Sequence, residues 1–274
     1  MTITDSFTHE DIQGFRFGKG IIGRPGMVSH IYYIDGLLID TGHSRVRREV
    51  MAAVGSLRVK QLFITHHHED HTGNLHILQP HYDRPAYASP LCCEIMKDPP
   101  SLSLAQKVTW GNRPPSHNLI PKVDYIETDH YRFQLIPIPG HAPDMVALYE
   151  PEKHWLFSSD LFINTHIGFF LRGESMLQQI NSMKKVLELD FNVMLCGHNP
   201  QLKDPKKKLR KKLDYFERFY AEVQEGYAKG LPARQIFRKM KLNEYSYVRL
   251  LSKGRLSRLN MVKAAMEDIS AAIP

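Results

Sequence analysis

The sequence predicts an α/β fold, with short buried strands alternating with helices and a helical extension at the C-terminal end. Three observations predict it. Short apolar runs such as 59–64, 131–137, 145–149, 154–159 and 191–196 are separated by turn residues or helical patterns. Several of these runs end in a side chain that can bind a metal: Asp40, the stretch His66–His71, His141, Asp160 and His198. After residue 203 the strand pattern gives way to apolar residues at helical spacing. Alternating elements of this kind build sheets covered by helices, with sites where strand ends meet loops.

In chain order, the first twenty residues are mixed and carry no clear pattern. Residues 29–40 read as two strands rich in β-branched and aromatic side chains, broken at Asp35-Gly36, a favoured hairpin turn. Ser44 reads as the N-cap of a helix through Val46, Val50 and Ala53, which Gly55 stops. The strand at 59–64 delivers the histidine-rich stretch, and a helix is expected over 73–79. A strand at 85–88 and a short helix at 91–96 follow. Residues 97–121 contain Pro99, Pro100, Pro114, Pro115 and Pro121, with Trp110 among them, and read as a long irregular excursion, either a binding loop or a surface insertion. Leu177, Ile180 and Leu187 predict a helix over 176–189. In the tail, Leu209, Leu213, Phe216, Tyr220, Val223 and Tyr227 form one stripe on a long helix that Gly226 and Gly230 end. Shorter helices are expected near 233–240, 244–251 and from the N-cap Ser257 to 269, with no paired strands among them.

Composition excludes several classes. With 42% hydrophobic and 24% charged residues, the chain is neither disordered nor fibrous. It holds no run of eighteen apolar residues and no basic-then-apolar leader, so neither a membrane span nor a signal peptide is expected. The three cysteines, Cys92, Cys93 and Cys196, make a poor disulfide framework and point to a reducing cytoplasm. The net charge of +7 is uneven: residues 203–274 hold 18 Lys and Arg against 8 Asp and Glu. Such asymmetry can mark an acidic partner.

The chemistry gathers at Thr65-His66-His67-His68-Glu69-Asp70-His71. His66, His68, Asp70 and His71 offer four donors within six residues, of the imidazole and carboxylate types that suit zinc, iron or manganese. Packed in one turn, such groups repel or need solvation unless a cation sits among them. The scattered histidines His9, His43, His76, His81, His117, His130 and His154 read as ordinary core or surface residues, and Cys196 as a buried small side chain.

The stretch matches the H-x-H-x-D-H signature of the metallo-β-lactamase fold superfamily. Asp40 in Leu38-Ile39-Asp40-Thr41-Gly42 resembles that family's first motif, Pro139-Gly140-His141 its third, Ser159-Asp160 its fourth and Gly197-His198 its fifth. The likeness covers about residues 15–200; it departs at Ala142 and Asp144, where many hydrolytic members have a G-H-T-P followed by Gly. The resemblance implies a four-layer αβ/βα sandwich with a C-terminal helical extension. Residues 1–202 would form the catalytic domain, and 203–274 a basic helical region packing on or near the active site. It also implies two divalent metal ions, zinc first, with iron or manganese as alternatives. His66, His68 and His141 would hold one, and Asp70, His71 and His198 the other, with Asp160 bridging and Asp40 orienting a ligand. By period-two alternation His67 would point away from the metals and Glu69 would face solvent.

A water bridging two cations loses a proton near neutral pH, and the resulting hydroxide would attack a carbonyl or phosphoryl centre. The catalytic Asp70 would pass the proton to the leaving group. Asn164 and His166, just after the bridging carboxylate, are candidate substrate contacts. The function expected is a dinuclear metal-dependent hydrolase of a small ester, thioester or lactone, similar to the glyoxalase-II and lactonase branches. One alternative is a nuclease acting on RNA or DNA phosphodiesters through Lys206–Lys208 and Arg210–Lys212. A charge run is more often a solvated face, and no stacking aromatics are interleaved, so nucleic acid is not favoured. Another is a mono-iron oxidoreductase similar to the persulfide dioxygenases, using His66, His68 and His141. The partner expected is a small-molecule substrate, with a homodimer allowed.

Overall fold

The computed structural model describes residues 1–20, 23 and 25–272. The first half runs β1 (Thr2–His9), β2 (Ile12–Lys19), β3 (Ser29–Ile34), β4 (Leu37–Ile39), a 3-10 turn at Ser44–Val46, α1 (Arg47–Val54), β5 (Gln61–Ile64), α2 (Glu69–Thr72), α3 (Leu75–Tyr82), β6 (Ala86–Ala88), α4 (Pro90–Lys97), α5 (Leu104–Thr109) and β7 (Leu119–Pro121). The second runs β8 (Tyr125–Glu127), β9 (Arg132–Pro137), β10 (Val146–Glu150), β11 (Trp155–Ser159), β12 (Phe170–Leu171), α6 (Met176–Leu187), β13 (Val193–Cys196), α7 (Pro205–Ala228), α8 (Ala233–Lys239), α9 (Ser246–Leu251), β14 (Leu256–Ser257) and α10 (Arg258–Ala271).

Strands β1 to β7 form one sheet in sequence order, antiparallel as far as β4 and parallel from β4 to β7. The second sheet has the order β13-β11-β10-β9-β8. Period-two alternation explains why both sheets are covered on both faces. In β5, Phe63 points between the sheets, while Leu62 and Ile64 point at α1, α3 and α4. In β10, Val146 and Leu148 point between the sheets, while Ala147 and Tyr149 point at the other helical layer. The result is helices, sheet, sheet, helices, the four-layer sandwich that the resemblance implies, and it places the ends of β4, β5, β11 and β13 along one edge.

The tail shares the core of the second half. Leu209, Leu213, Phe216 and Val223 of α7 pack with Ile180 and Met183 of α6 and with Met261 and Ala265 of α10 in one cluster. Gly226 lies inside α7 rather than ending it, because Ile236 of α8 packs so close that a Cβ there would meet its Cγ1 at 2.7 Å. Paired strands do occur in the tail: β14 pairs with β12, stitching the extension to the loop that follows β11. Lys212, read as part of a solvated cationic face, is 1% exposed. It lies three residues after Leu209 and four before Phe216, on the helix face that meets the core.

Three further differences have local causes. The β1–β2 hairpin leaves little trace in sequence because β1 is an edge strand exposed along most of its length, so it shows no apolar alternation. Ser44 does not cap a helix; it opens the 3-10 turn, and its Oγ accepts from Asn112 N at 2.8 Å. The excursion at 97–121 is not wholly irregular, since Ser103 and Gln106 form a capping box that starts α5, and residues 119–121 add β7.

Truncating Phe216, fully buried against Phe170, should destabilise the protein by about 3–5 kcal/mol. Because its cluster spans 138–269, urea unfolding followed by far-UV dichroism should show one earlier transition. A separate transition of the tail alone would contradict the shared core.

Candidate metal centre

The ends of four strands meet at one place. Asp40 follows β4, His66 and His68 follow β5, Asp160 follows β11 and His198 follows β13, while α2 carries Asp70 and His71 and the loop after β9 carries His141. Two groups of donor atoms result, each with its atoms within 4.8 Å of one another: His66, His68 and His141, and Asp70, His71, Asp160 and His198. Asp160 touches both groups: Oδ2 lies 3.5 Å from His141 Nε2 and 3.1 Å from His198 Nε2, and Oδ1 lies 3.3 Å from His71 Nε2.

The outer nitrogens of these rings are anchored. His71 Nδ1 donates to Asp40 Oδ2 at 2.7 Å, and His198 Nδ1 to Val28 O at 2.6 Å. His141 Nδ1 faces Glu174 Oε2 at 3.3 Å. His66 Nδ1 lies 3.1 Å from Ser159 Oγ, which donates to Thr65 Oγ1 at 2.9 Å, which donates to Asp40 Oδ2 at 2.9 Å. That relay makes His66 Nδ1 the donor and turns the Nε2 lone pair toward the site. Anchoring of this kind fixes tautomer and ring orientation at metal centres.

The donors fit divalent cations. His66 Nε2 is buried without a hydrogen-bond partner, and His71 Nε2 and Asp160 Oδ1 meet each other only at 3.3 Å, an arrangement that is costly unless an ion completes it. Gly197 leaves the room: a Cβ there would meet Asp160 Oδ1 at 2.4 Å and His71 Cε1 at 2.7 Å. Burial and the neighbouring imidazoles of His71 and His68 hold His66 neutral, well below the ordinary histidine range. Burial, His141 and His67 do the same to His68. At His71 and His198 burial opposes the charge, but Asp160 and its fellow carboxylates outweigh it. His71 is pushed well above its usual value and His198 to about 9. The first group offers two neutral imidazoles, His66 and His68, beside His141, whose pKa Glu174 raises against burial; the second is a nest of carboxylates that demands positive charge.

His67 points away from the donors. Asp144 grips it twice, accepting from its backbone N at 2.8 Å and from Nδ1 at 2.7 Å. The unusual Asp at that position therefore holds the turn that presents His66 and His68. Glu69 does not face solvent: it is 3% exposed, because the extended alternation ends at His68 and α2 begins. Burial and the adjacent Asp70 raise its pKa. Asn164 and His166 are exposed on the rim of a cavity of about 320 Å³ over the donors. Ile163, Ile167, Phe169, Phe170 and Leu256 wall it, and Trp110 stacks on His198 with ring centroids 5.9 Å apart.

Two residues of the site carry no motif. Glu174 orients His141 and also accepts from Leu171 N at 2.7 Å and Gln179 Nε2 at 2.8 Å. Lys212 reaches the cavity from α7 and donates to Leu161 O at 2.6 Å. Burial lowers its pKa to about 8, against the pull of Glu174 and Asp160.

A buried, strand-end set of histidines and carboxylates on a four-layer sandwich defines a class of metal-binding α/β proteins. The sequence model of the Metallo-beta-lactamase superfamily matches residues 24–198, and the chain belongs to that superfamily. It is 24% identical over 226 residues to an atrochrysone carboxyl ACP thioesterase of Aspergillus fumigatus, covering 78% of this chain and 65% of that one. It is 24% identical over 143 residues to a hydroxyacylglutathione hydrolase of Bdellovibrio bacteriovorus, covering 52% of this chain and 50% of that one. The chain thus spans about half to two-thirds of the length of these two curated relatives. A beta-lactamase domain protein from Burkholderia ambifaria has the same fold, with a TM-score of 0.68 and 14% identity over 98% of this chain and 89% of that one. No helix among the described residues is long and apolar enough to cross a membrane.

Replacing Glu174 with Ala should weaken metal affinity about 10- to 100-fold by freeing His141. Titration of chelator-treated protein with zinc, iron(II) or manganese, followed by thermal unfolding, reads this directly. An unchanged affinity would show that Glu174 plays no part in holding the ligand.

Proposed function

We propose that this chain is a dinuclear metal-dependent hydrolase of a small ester, thioester or lactone. The observation that carries the reading is that two donor groups share Asp160 at the floor of an apolar-walled cavity. His66, His68 and His141 would hold one ion and Asp70, His71 and His198 the other, with Asp160 between them. Seven donors in two groups favour two ions over a single iron held by three histidines. Zinc is the first choice, and iron and manganese accept the same donors. When bound, two such ions lower the pKa of water toward neutrality and polarise a substrate oxygen.

The protein's own residues do the rest. Asp70 lines the cavity with Oδ2 3.3 Å from His198 Nε2, so it is placed to take a proton and return it to the leaving group. Asp40 and Glu174 keep His71 and His141 aimed. The walls of Ile163, Ile167, Phe169 and Phe170 suit an apolar acyl part and exclude water. Asn164 and His166 stand where a substrate would enter. Relatives named as a thioesterase and as a hydrolase lend support to acyl transfer to water.

Metal-loaded protein assayed against panels of thioesters, esters and lactones should turn over at least one class. Asp70→Asn should lower kcat by about 10²- to 10⁴-fold, the range of a lost acid–base group, with metal content measured in parallel. Failure on every carbonyl substrate with two ions bound would sink the reading.

A further inference from the structure

We propose that a second cavity, adjoining the donors at His68 and His141, is an anion subsite that holds a carboxylate or phosphate at one end of the substrate. This deepens the hydrolase reading and rests on it. The cavity has a volume of about 430 Å³ and shares His68, Glu69, Gln106, His141 and Glu174 with the first. Three arginines from separate segments line it: Arg113, Arg172 and Arg255.

Backbone contacts bring the three together. Arg113 donates to Pro100 O at 2.7 Å and Arg255 to Ser101 O at 3.2 Å, so the two guanidiniums rest on consecutive carbonyls. Arg172 N donates to Arg255 O at 2.9 Å, which sets the third beside them across the β12–β14 pair. Arg113 is 8% exposed, and while one terminal nitrogen donates to His67 O at 2.6 Å, its buried Nε has no partner. Arg255 also donates to Gln106 Oε1 at 3.3 Å. Arg172 is exposed, and none of the three takes part in an ion pair among the described residues.

Glu69 and Glu174 share the wall, and Glu69 and Asp144 offset part of the charge of Arg113, so Arg172 and Arg255 carry the cationic excess. Glu174 is already engaged by His141, Leu171 N and Gln179. Glu69, buried next to Asp70, lies beyond ion-pair distance of Arg113 but still favours its charge. Both terminal nitrogens of Arg113 are spent on backbone carbonyls and its Nε is sealed from solvent, so an anionic oxygen group in the cavity would meet the guanidiniums of Arg172 and Arg255, whose planar forks match it. The first cavity has apolar walls around its donors and one cation, Lys212, whereas three arginines and two glutamates join apolar residues on the walls of the second. Their shared edge includes His68 and His141. A substrate with an apolar end and an anionic end would span them, with its carbonyl at the donors.

The test uses two matched pairs: S-acetyl-N-acetylcysteine with its neutral amide, and S-acetyl-4′-phosphopantetheine with S-acetylpantetheine. In metal-loaded wild type, the neutral member of at least one pair should have a KM about tenfold higher, what one charge-assisted hydrogen bond contributes. In Arg172→Ala and in Arg255→Ala that ratio should fall to about one. The pair that responds identifies carboxylate or phosphate. Equal KM values within both pairs in wild type, or a ratio that survives both variants, would overturn the subsite. If no thioester is hydrolysed, whether or not the hydrolase reading holds on esters or lactones, calorimetric titration of glutarate and inorganic phosphate decides the subsite alone. Binding that weakens about tenfold in both variants supports it, and absence of binding to wild type removes it.

Discussion

The site depends on one buried carboxylate, Asp40. It accepts from Thr65 N at 2.8 Å, from Thr65 Oγ1 at 2.9 Å and from His71 Nδ1 at 2.7 Å. Through Thr65 and Ser159 it also reaches His66, so one side chain orients a donor in each group. The same bonds tie the end of β4 to the end of β5, and Ser159 adds the end of β11. Asp40 (φ 62°) and Ser159 (φ 48°) both adopt the left-handed conformation. L-residues pay for that conformation with strain, which persists where the surroundings over-determine it, as at functional sites. Asp40 is 4% exposed, so its charge is supported by these donors and not by water.

Electrostatics then divides the centre in two. The first group has three histidines, two of which burial holds neutral, and the second concentrates Asp70 and Asp160 around His71 and His198. Two buried carboxylates so close cannot both stay charged without compensation. Without a cation the compensation comes from protonated His71 and His198, whose pKa values those carboxylates raise. A divalent ion would replace those protons, which couples metal binding to proton release. Gly197 allows this density, since any side chain there would occupy the space between Asp160 and His71.

The legible parts of the sequence are those where chemistry and periodicity coincide. Asp40, His66, His68, His141, Asp160 and His198 each close or follow an apolar strand, and the central strands alternate cleanly between two cores, so sheet and donors announce themselves together. Legibility fails where the local period changes. Extending the strand alternation past His68 sends Glu69 to solvent, but α2 starts there and buries it. A run of lysines reads as solvated, and only the register of α7 shows that Lys212 lies with Leu209 and Phe216. Glu174 and Arg113 act from irregular segments whose position depends on contacts distant in sequence, and no pattern in their neighbours announces them.

That division has a physical origin. The donor side chains are fixed by the anchors behind them, so the strand ends that carry them tolerate little change. The cavity walls answer only to the shape and charge of what enters. They come from 97–121, from the loop between Asp160 and α6, and from the tail around β14. Hydrogen bonds tie these segments to one another and to the scaffold: Arg255 to Ser101, Arg172 to Arg255, Arg113 to His67, Asn112 to Ser44 and Lys212 to Leu161. The tail is therefore part of the site rather than an appendage, because α7 shares the sandwich core and also supplies a cation to the cavity. A change of substrate within this scaffold would be expected to redraw those three segments while leaving Asp40 and the seven donors in place.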